Sequence, residues 1–151
     1  MRLVLTAHGS ADPRSAATAE AVARKIRTMR RGLDVTVAFC EQNEPNLRDV
    51  LVDDAGASVI VPLLLADAYH ARVDIPALIA ESGADARQAE VLGEDDHLIA
   101  VLRQRLAERG VSPLDADLGV LVVAVGSSRA TANERTQRVA DTLSAGKYDL
   151  I

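Results

Sequence analysis

The chain has 151 residues and a mass of 16.0 kDa, the size of one ordinary domain with room for a real core. Hydrophobic residues make up 48% and charged residues 26%, which excludes disordered, collagen-like and coiled-coil readings. A net charge of −5 and only three aromatics, Phe39, Tyr69 and Tyr148, argue against nucleic acid, whose binding needs a basic footprint and stacking platforms.

Cys40 is the sole cysteine, so an intrachain disulfide and a multi-cysteine metal cluster are both excluded. The amino-terminal apolar run is too short for a signal peptide, and no stretch reaches the ~20 apolar residues that span a bilayer. The expected location is cytoplasmic, with no membrane partner.

Leu3 to Ala7 is a short apolar run ended by Gly9, as in a strand buried on both faces of a parallel sheet. Asp12-Pro13 reads as an N-cap with proline at the first helical position, opening a helix whose apolar face is Ala17, Ala21, Val22, Ile26 and Met29 and which closes near Gly32. From Leu33 the period changes to two, through Val35, Val37 and Phe39, which predicts a second strand. Pro45 opens a helix through Leu47, Val50 and Leu51 that ends around Gly56, and Ser58 to Leu65 reads as the central strand. Pro76 starts the next helix over Leu78, Ile79 and Ala80. Gln88 to Leu92 reads as a fourth strand. Asp95 to Arg109 follows as a helix with Leu98, Ile99, Val101, Leu102 and Leu106 on one face, closed by Gly110. The alternation predicts an α/β fold: a three-layer sandwich with a central parallel sheet flanked by helices, flavodoxin- or Rossmann-like.

Leu118 to Val125 then reads as another strand, followed by a helix from Ala130 to Leu143, while Gly146 to Ile151 has no clear place. Leu5-Thr6-Ala7-His8-Gly9-Ser10 aligns with Val122-Val123-Ala124-Val125-Gly126-Ser127, and the same register pairs Val22-Ala23 with Val139-Ala140. Either one α/β unit is duplicated, giving a unit over 1–112 and the start of a second, incomplete unit over 113–151, or two βα turns of one fold look alike.

Ligands of open α/β sheets bind beyond the carboxyl ends of the strands, which directs attention to His8, Glu41 and His70 after the first three. Two imidazoles and a carboxylate suit a borderline divalent metal and leave coordination positions open. Glu41 could instead be a solvated residue or cap the helix near Pro45, for which Glu44 competes. Cys40 should point away from Glu41 as a buried small hydrophobe, and His97 should lie on a helix surface. Gly9-Ser10 resembles the start of an anion-binding turn, yet G-x-G-x-x-G, the G-K-[ST] of a P-loop and the Arg-His-Gly of histidine phosphatases are all missing.

Leu5 to Ser10, Ala38-Phe39-Cys40-Glu41-Gln42-Asn43-Glu44-Pro45, and Pro62 through His70 to Val73-Asp74-Ile75-Pro76 together resemble the sirohydrochlorin chelatases, class II enzymes that insert cobalt or ferrous iron into a tetrapyrrole without ATP. The resemblance covers residues 1 to 110 and the beginning of a second half from Leu118. It implies that His8, Glu41 and His70 bind the Co2+ or Fe2+ that is the metal substrate and serve as the catalytic groups, with no nucleotide. It also implies an expected homodimer, or a pseudo-dimer with a second half, enclosing the macrocycle. The sequence departs from many members by carrying Asp67-Ala68-Tyr69 where a glycine precedes the second histidine, and Val125 stands where His8 stands in the first half.

An acidic protein meeting a polycarboxylate substrate needs local cations. Lysine occurs only at 25 and 147, so arginine supplies nearly all the positive charge. Ser10, Arg14 and Arg72, with Arg129 in the second half, are the expected substrate contacts. Two other readings stay open, a metal or tetrapyrrole carrier that catalyses nothing and a phosphate-handling enzyme with His8 as nucleophile.

Overall fold

A computed structural model of the chain describes residues 1–53, 56–93, 95–112, 115, 117–124, 126–144 and 149–150. The chain forms two compact units, Met1–Val91 and Leu92–Ile151. Val125, aligned with His8, and Gly146 to Tyr148 and Ile151 of the terminal stretch lie outside the described residues.

In the first unit, β1 (Arg2–Ala7), β2 (Asp34–Phe39), β3 (Ser58–Pro62) and β4 (Ala86–Gln88) make a parallel sheet in the order β2-β1-β3-β4. Leu5 stands level with Val37 and Val61, so β1, β2 and β3 all end on the same side of the sheet. The pleat of the strands divides the core between two faces. Val4, Ala38 and Ile60 turn to one side, against α2 (Leu47–Val52) and α3 (Ile75–Ser82) through Leu47, Leu51 and Ile75. Leu5, Val35, Val37 and Phe39 turn to the other, against α1 (Pro13–Met29) through Ala19 and Ala23. Burying each large aliphatic side chain here stabilises the fold by roughly 1.5–3 kcal/mol before conformational entropy is subtracted. This is the expected sandwich, a parallel sheet between helical layers.

The details differ at four places. The side of α1 that meets the sheet is Ala16, Ala19, Ala23 and Ile26, while Met29 is 70% exposed and Val22 also faces water. Small side chains let the helix lie close on the β-surface, so alanine outranks the bulkier residues there. Next, β3 ends at Pro62, and Leu63 to Leu65 already belong to the loop; β1 shares the centre of the sheet with it. The fourth strand is Ala86–Gln88 rather than Gln88 to Leu92. In the second unit, the expected strand from Leu118 reduces to β5 (Gly119–Val120), paired in parallel with β6 (Asp149–Leu150), and Leu121 and Val123 are exposed.

The second unit also holds α4 (Asp96–Ala107) and α5 (Ala130–Ser144). Asp95 caps α4 by accepting from the His97 N–H, Ile99 is its buried residue, and Val101 and Leu102 of the expected apolar face are exposed. Among the described residues, no helix is long and apolar enough to cross a membrane.

Candidate metal centre

The site is assembled at the edge where β1 and β2 end. The Cys40 N–H donates to the Ala7 carbonyl (3.0 Å) and the Glu41 N–H to the His8 carbonyl (3.0 Å), so the ladder runs one step past the strands and sets His8 beside Glu41. The approach is close. A β-carbon on Gly9, whose φ is +103°, would lie 1.7 Å from the Glu41 carbonyl oxygen, so only glycine fits. Beyond it, Asn43 Oδ1 accepts the Ser10 N–H at 2.7 Å, and Ser10 Oγ accepts the Asp12 N–H at 3.1 Å.

His70 arrives from the other side, on a π-helical turn (His70–Asp74) that runs directly into α3. Single π-turns of this kind are rare and concentrate at functional sites. The His8 and His70 rings stand edge to face, 4.1 Å between centroids and 82° between planes. Tyr69, exposed, meets His70 edge to face at 6.2 Å.

Each imidazole has oxygen partners at the site. His8 Nδ1 lies 2.9 Å from the Gly9 carbonyl oxygen. Nε2 of the same ring is 3.2 Å from Glu41 Oε1. His70 Nδ1 lies 2.6 Å from Asp74 Oδ2, one helical turn on, which turns the unshared pair of Nε2 away from Asp74. Carboxylate-oriented imidazole is the usual form of a metal-ligating histidine. Among the described residues, no three His, Cys, Asp or Glu side chains stand ready around one point.

Of the sequence-derived candidates, His8, Glu41, His70 and Ser10 come together at this edge. Glu41 faces His8 and does not cap the following helix: Asn46 caps α2, and Glu44 Oε2 accepts the Asn46 N–H at 3.0 Å. Cys40 packs into the α2/α3 face, where burial, and then the Asp74 and Glu41 carboxylates, push its thiol up to about 11. Arg14 and Arg72 are engaged locally. Arg14 chelates Asp12 through Nε and Nη2, which holds the Asp12 carboxyl below the usual carboxylate range, and its side chain is 89% exposed. Arg72 forks onto Asp67, which raises the guanidinium further. Arg129 is exposed, its N–H held by Ser127 Oγ at 3.2 Å. His97 is 97% exposed and bonded to Asp95, as expected of a surface residue.

Sequence reasoning missed Asp74 and Asn43 as functional groups. The His-x-x-x-Asp spacing of 70 and 74, one helical turn, was a usable signal. Asn43 was not: its role depends on a contact 33 residues away in sequence.

The model of the CbiX family matches residues 2–109. Sirohydrochlorin ferrochelatase of Priestia megaterium is 31% identical over an alignment of 130 residues that covers 78% of this chain and 48% of that protein, so the chain spans about half the length of this curated relative. A CbiX crystal structure from Marinobacter aquaeolei VT8, assigned to cobalamin (vitamin B12) biosynthesis, is 31% identical with a TM-score of 0.58, covering 72% of this chain and 93% of that one. The structure of CbiX described as the terminal enzyme of siroheme biosynthesis in denitrifying bacteria is 28% identical, with a TM-score of 0.72 over 96% of this chain and 65% of that one. SirB from Bacillus subtilis with Fe3+, at 20% identity, shares the fold, with a TM-score of 0.80 over the whole of this chain and 64% of the other. With a family match over more than two-thirds of its residues and the family's sheet beneath the paired histidines, the chain belongs to the CbiX family.

Proposed function

We propose that the protein is a sirohydrochlorin chelatase that inserts Co2+ or Fe2+ into the tetrapyrrole, in cobalamin or siroheme biosynthesis. The observation that carries this reading is the convergence of two imidazoles and a carboxylate at one sheet edge: His8 Nε2 lies 3.2 Å from Glu41 Oε1, and the His70 ring is set edge to face against His8. Family membership supports the same chemistry, as does the activity named for the Priestia megaterium relative. An open set of nitrogen and oxygen donors holds a dication loosely enough to surrender it, which a closed thiolate cage would not. Each entering dication expels two pyrrole N–H protons. His8 with Glu41 and His70 with Asp74 supply two imidazole–carboxylate pairs to receive them.

Arg14 and Arg72 each spend Nε and Nη2 on a neighbouring carboxylate and keep Nη1 for the acid side chains of the macrocycle, with Ser10 at the turn beside them. No nucleotide takes part, in keeping with a sequence that lacks a phosphate-binding loop. The working organisation is a metal-bearing unit over 1–112 and a second, similar unit beginning at 113, in a cytoplasmic protein that encloses the substrate as a homodimer or pseudo-dimer. Support for the likeness of the units is local: Gly126 has a positive φ like Gly9, Ser127 Oγ accepts the N–H two residues on, and an asparagine Oδ1 accepts the Ser127 N–H. The carrier and phosphohistidine readings are not favoured, the latter because Glu41 would face an incoming phosphate.

Anaerobic metal-insertion assays on His8→Ala and His70→Ala test the proposal. Each should lose at least 100-fold in turnover while keeping the wild-type circular dichroism spectrum. Near-normal rates in both would refute it.

A further inference from the structure

The π-turn that carries His70 contains a hydrogen-bonding deficit in its own backbone. The Ile75 N–H reaches back five residues to the His70 carbonyl. The next donor in that register would come from residue 76 and would serve the Ala71 carbonyl. Residue 76 is proline and has no N–H. Ala71 is buried at 2% exposure, so its carbonyl cannot turn to water.

The missing donor comes from another element. Gln88, the last residue of β4, sends Nε2 to the Ala71 carbonyl at 2.7 Å. Gln88 is itself level with Ile60 in the sheet, and the next residue, Ala89, donates its N–H to the Ile60 carbonyl at 2.8 Å. The bond therefore ties the π-turn to the edge strand β4, which is itself bonded to β3. Gln88 Oε1 is buried and has no hydrogen-bond partner, so the amide is kept in a costly environment for the sake of its N–H. Its orientation is unambiguous, because the flipped amide would set two oxygens against each other.

We infer that Gln88 is a positioning residue for His70: it replaces the backbone donor that Pro76 deletes, holds the turn in π register, and thereby keeps the His70 ring on His8. This rests on the reading of His70 as a metal-binding imidazole. A hydrogen bond that merely steadied a loop would leave His70 where it is.

Gln88→Met keeps the shape of the side chain and removes the donor. In the full chain, the His70 ring resonances in heteronuclear NMR should move while those of His97 stay fixed, a readout that needs no turnover. Metal insertion should fall about 10- to 100-fold in kcat with KM for the tetrapyrrole unchanged within about twofold. Adding Pro76→Ala, which restores a backbone N–H in register with Ala71, should return both signals toward wild type. If Gln88→Met alone does not fold, the double variant should fold, and failure of both overturns the inference. Unmoved His70 resonances in a folded Gln88→Met also overturn it. A wild-type protein that inserts no metal, with the His70 shift and its rescue still observed, would instead refute the chelatase reading and leave the positioning role standing.

Discussion

Gly9→Ala tests how far the site depends on the contact between the β1 and β2 backbones. The new β-carbon would sit 1.7 Å from the Glu41 carbonyl oxygen, and ordinary contact begins at 3.4 Å, so the two segments must separate by about 1.7 Å. Positive φ adds roughly 1–2 kcal/mol of strain for a residue with a side chain, and overpacking a fitted site costs a further ~1–3 kcal/mol. Gly83→Ala is the matched control. Gly83 also has a positive φ, +68°, but nothing lies within 4 Å of a β-carbon there, so that variant carries the strain alone. At about 4–8 °C per kcal/mol for a cooperative unit of this size, Gly9→Ala should melt well below Gly83→Ala in a calorimetric scan. Because His8 flanks Gly9 and the shift falls on Glu41, Gly9→Ala should also lose about 100-fold in metal insertion, which Gly83→Ala should retain. Equal melting temperatures for the two variants, or full activity in Gly9→Ala, would refute the argument.

Two further outcomes follow from the electrostatics. With its thiol pushed from an ordinary 9.0 to about 11, native Cys40 should react with a disulfide reagent at pH 8 at least tenfold more slowly than the chain unfolded in urea, read by absorbance. Asp12 caps α1 and is held below its ordinary 3.8, first by the Arg14 guanidinium and then by the Arg14 N–H. A depressed carboxylate stabilises the fold above its unfolded value and loses that contribution as pH falls through the folded one. Asp12→Ala should therefore melt below wild type at pH 7, with the difference vanishing as the pH drops below 3.8.

β1, β2 and β3 were legible in the sequence because they are continuous apolar runs or strict alternations, whereas β4, Ala86-Arg87-Gln88, is neither and was expected further on; the meeting of His8, Glu41 and His70 was legible because strand ends point to one edge. The helices were less so. On α1 Met29 and Val22 face water while Ala19 and Ala23 meet the sheet, so a ranking by hydrophobicity favours Met29 over Ala23, whereas close packing reverses it. The supports of the site were hardest to see. Gln88 matters because a proline twelve residues earlier lacks a proton, and Asn43 because two strands happen to end side by side. Neither relation leaves a periodic trace.

The same asparagine acceptor closes both glycine–serine turns, but over different lengths of chain. Asn133 reaches Ser127 across six residues, and Asn43 reaches Ser10 across 33. Loop-closure entropy grows as about 1.5RT ln n, so the longer closure costs roughly 1.5 kcal/mol more. The Ser127 turn is a local clip that can form while the chain is still extended. The Ser10 turn is a latch that shuts only after β2 has docked on β1, since its acceptor comes from beyond the end of β2. The His8–Glu41 approach therefore forms only once β2 has docked on β1, and its spectroscopic signature would report that pairing.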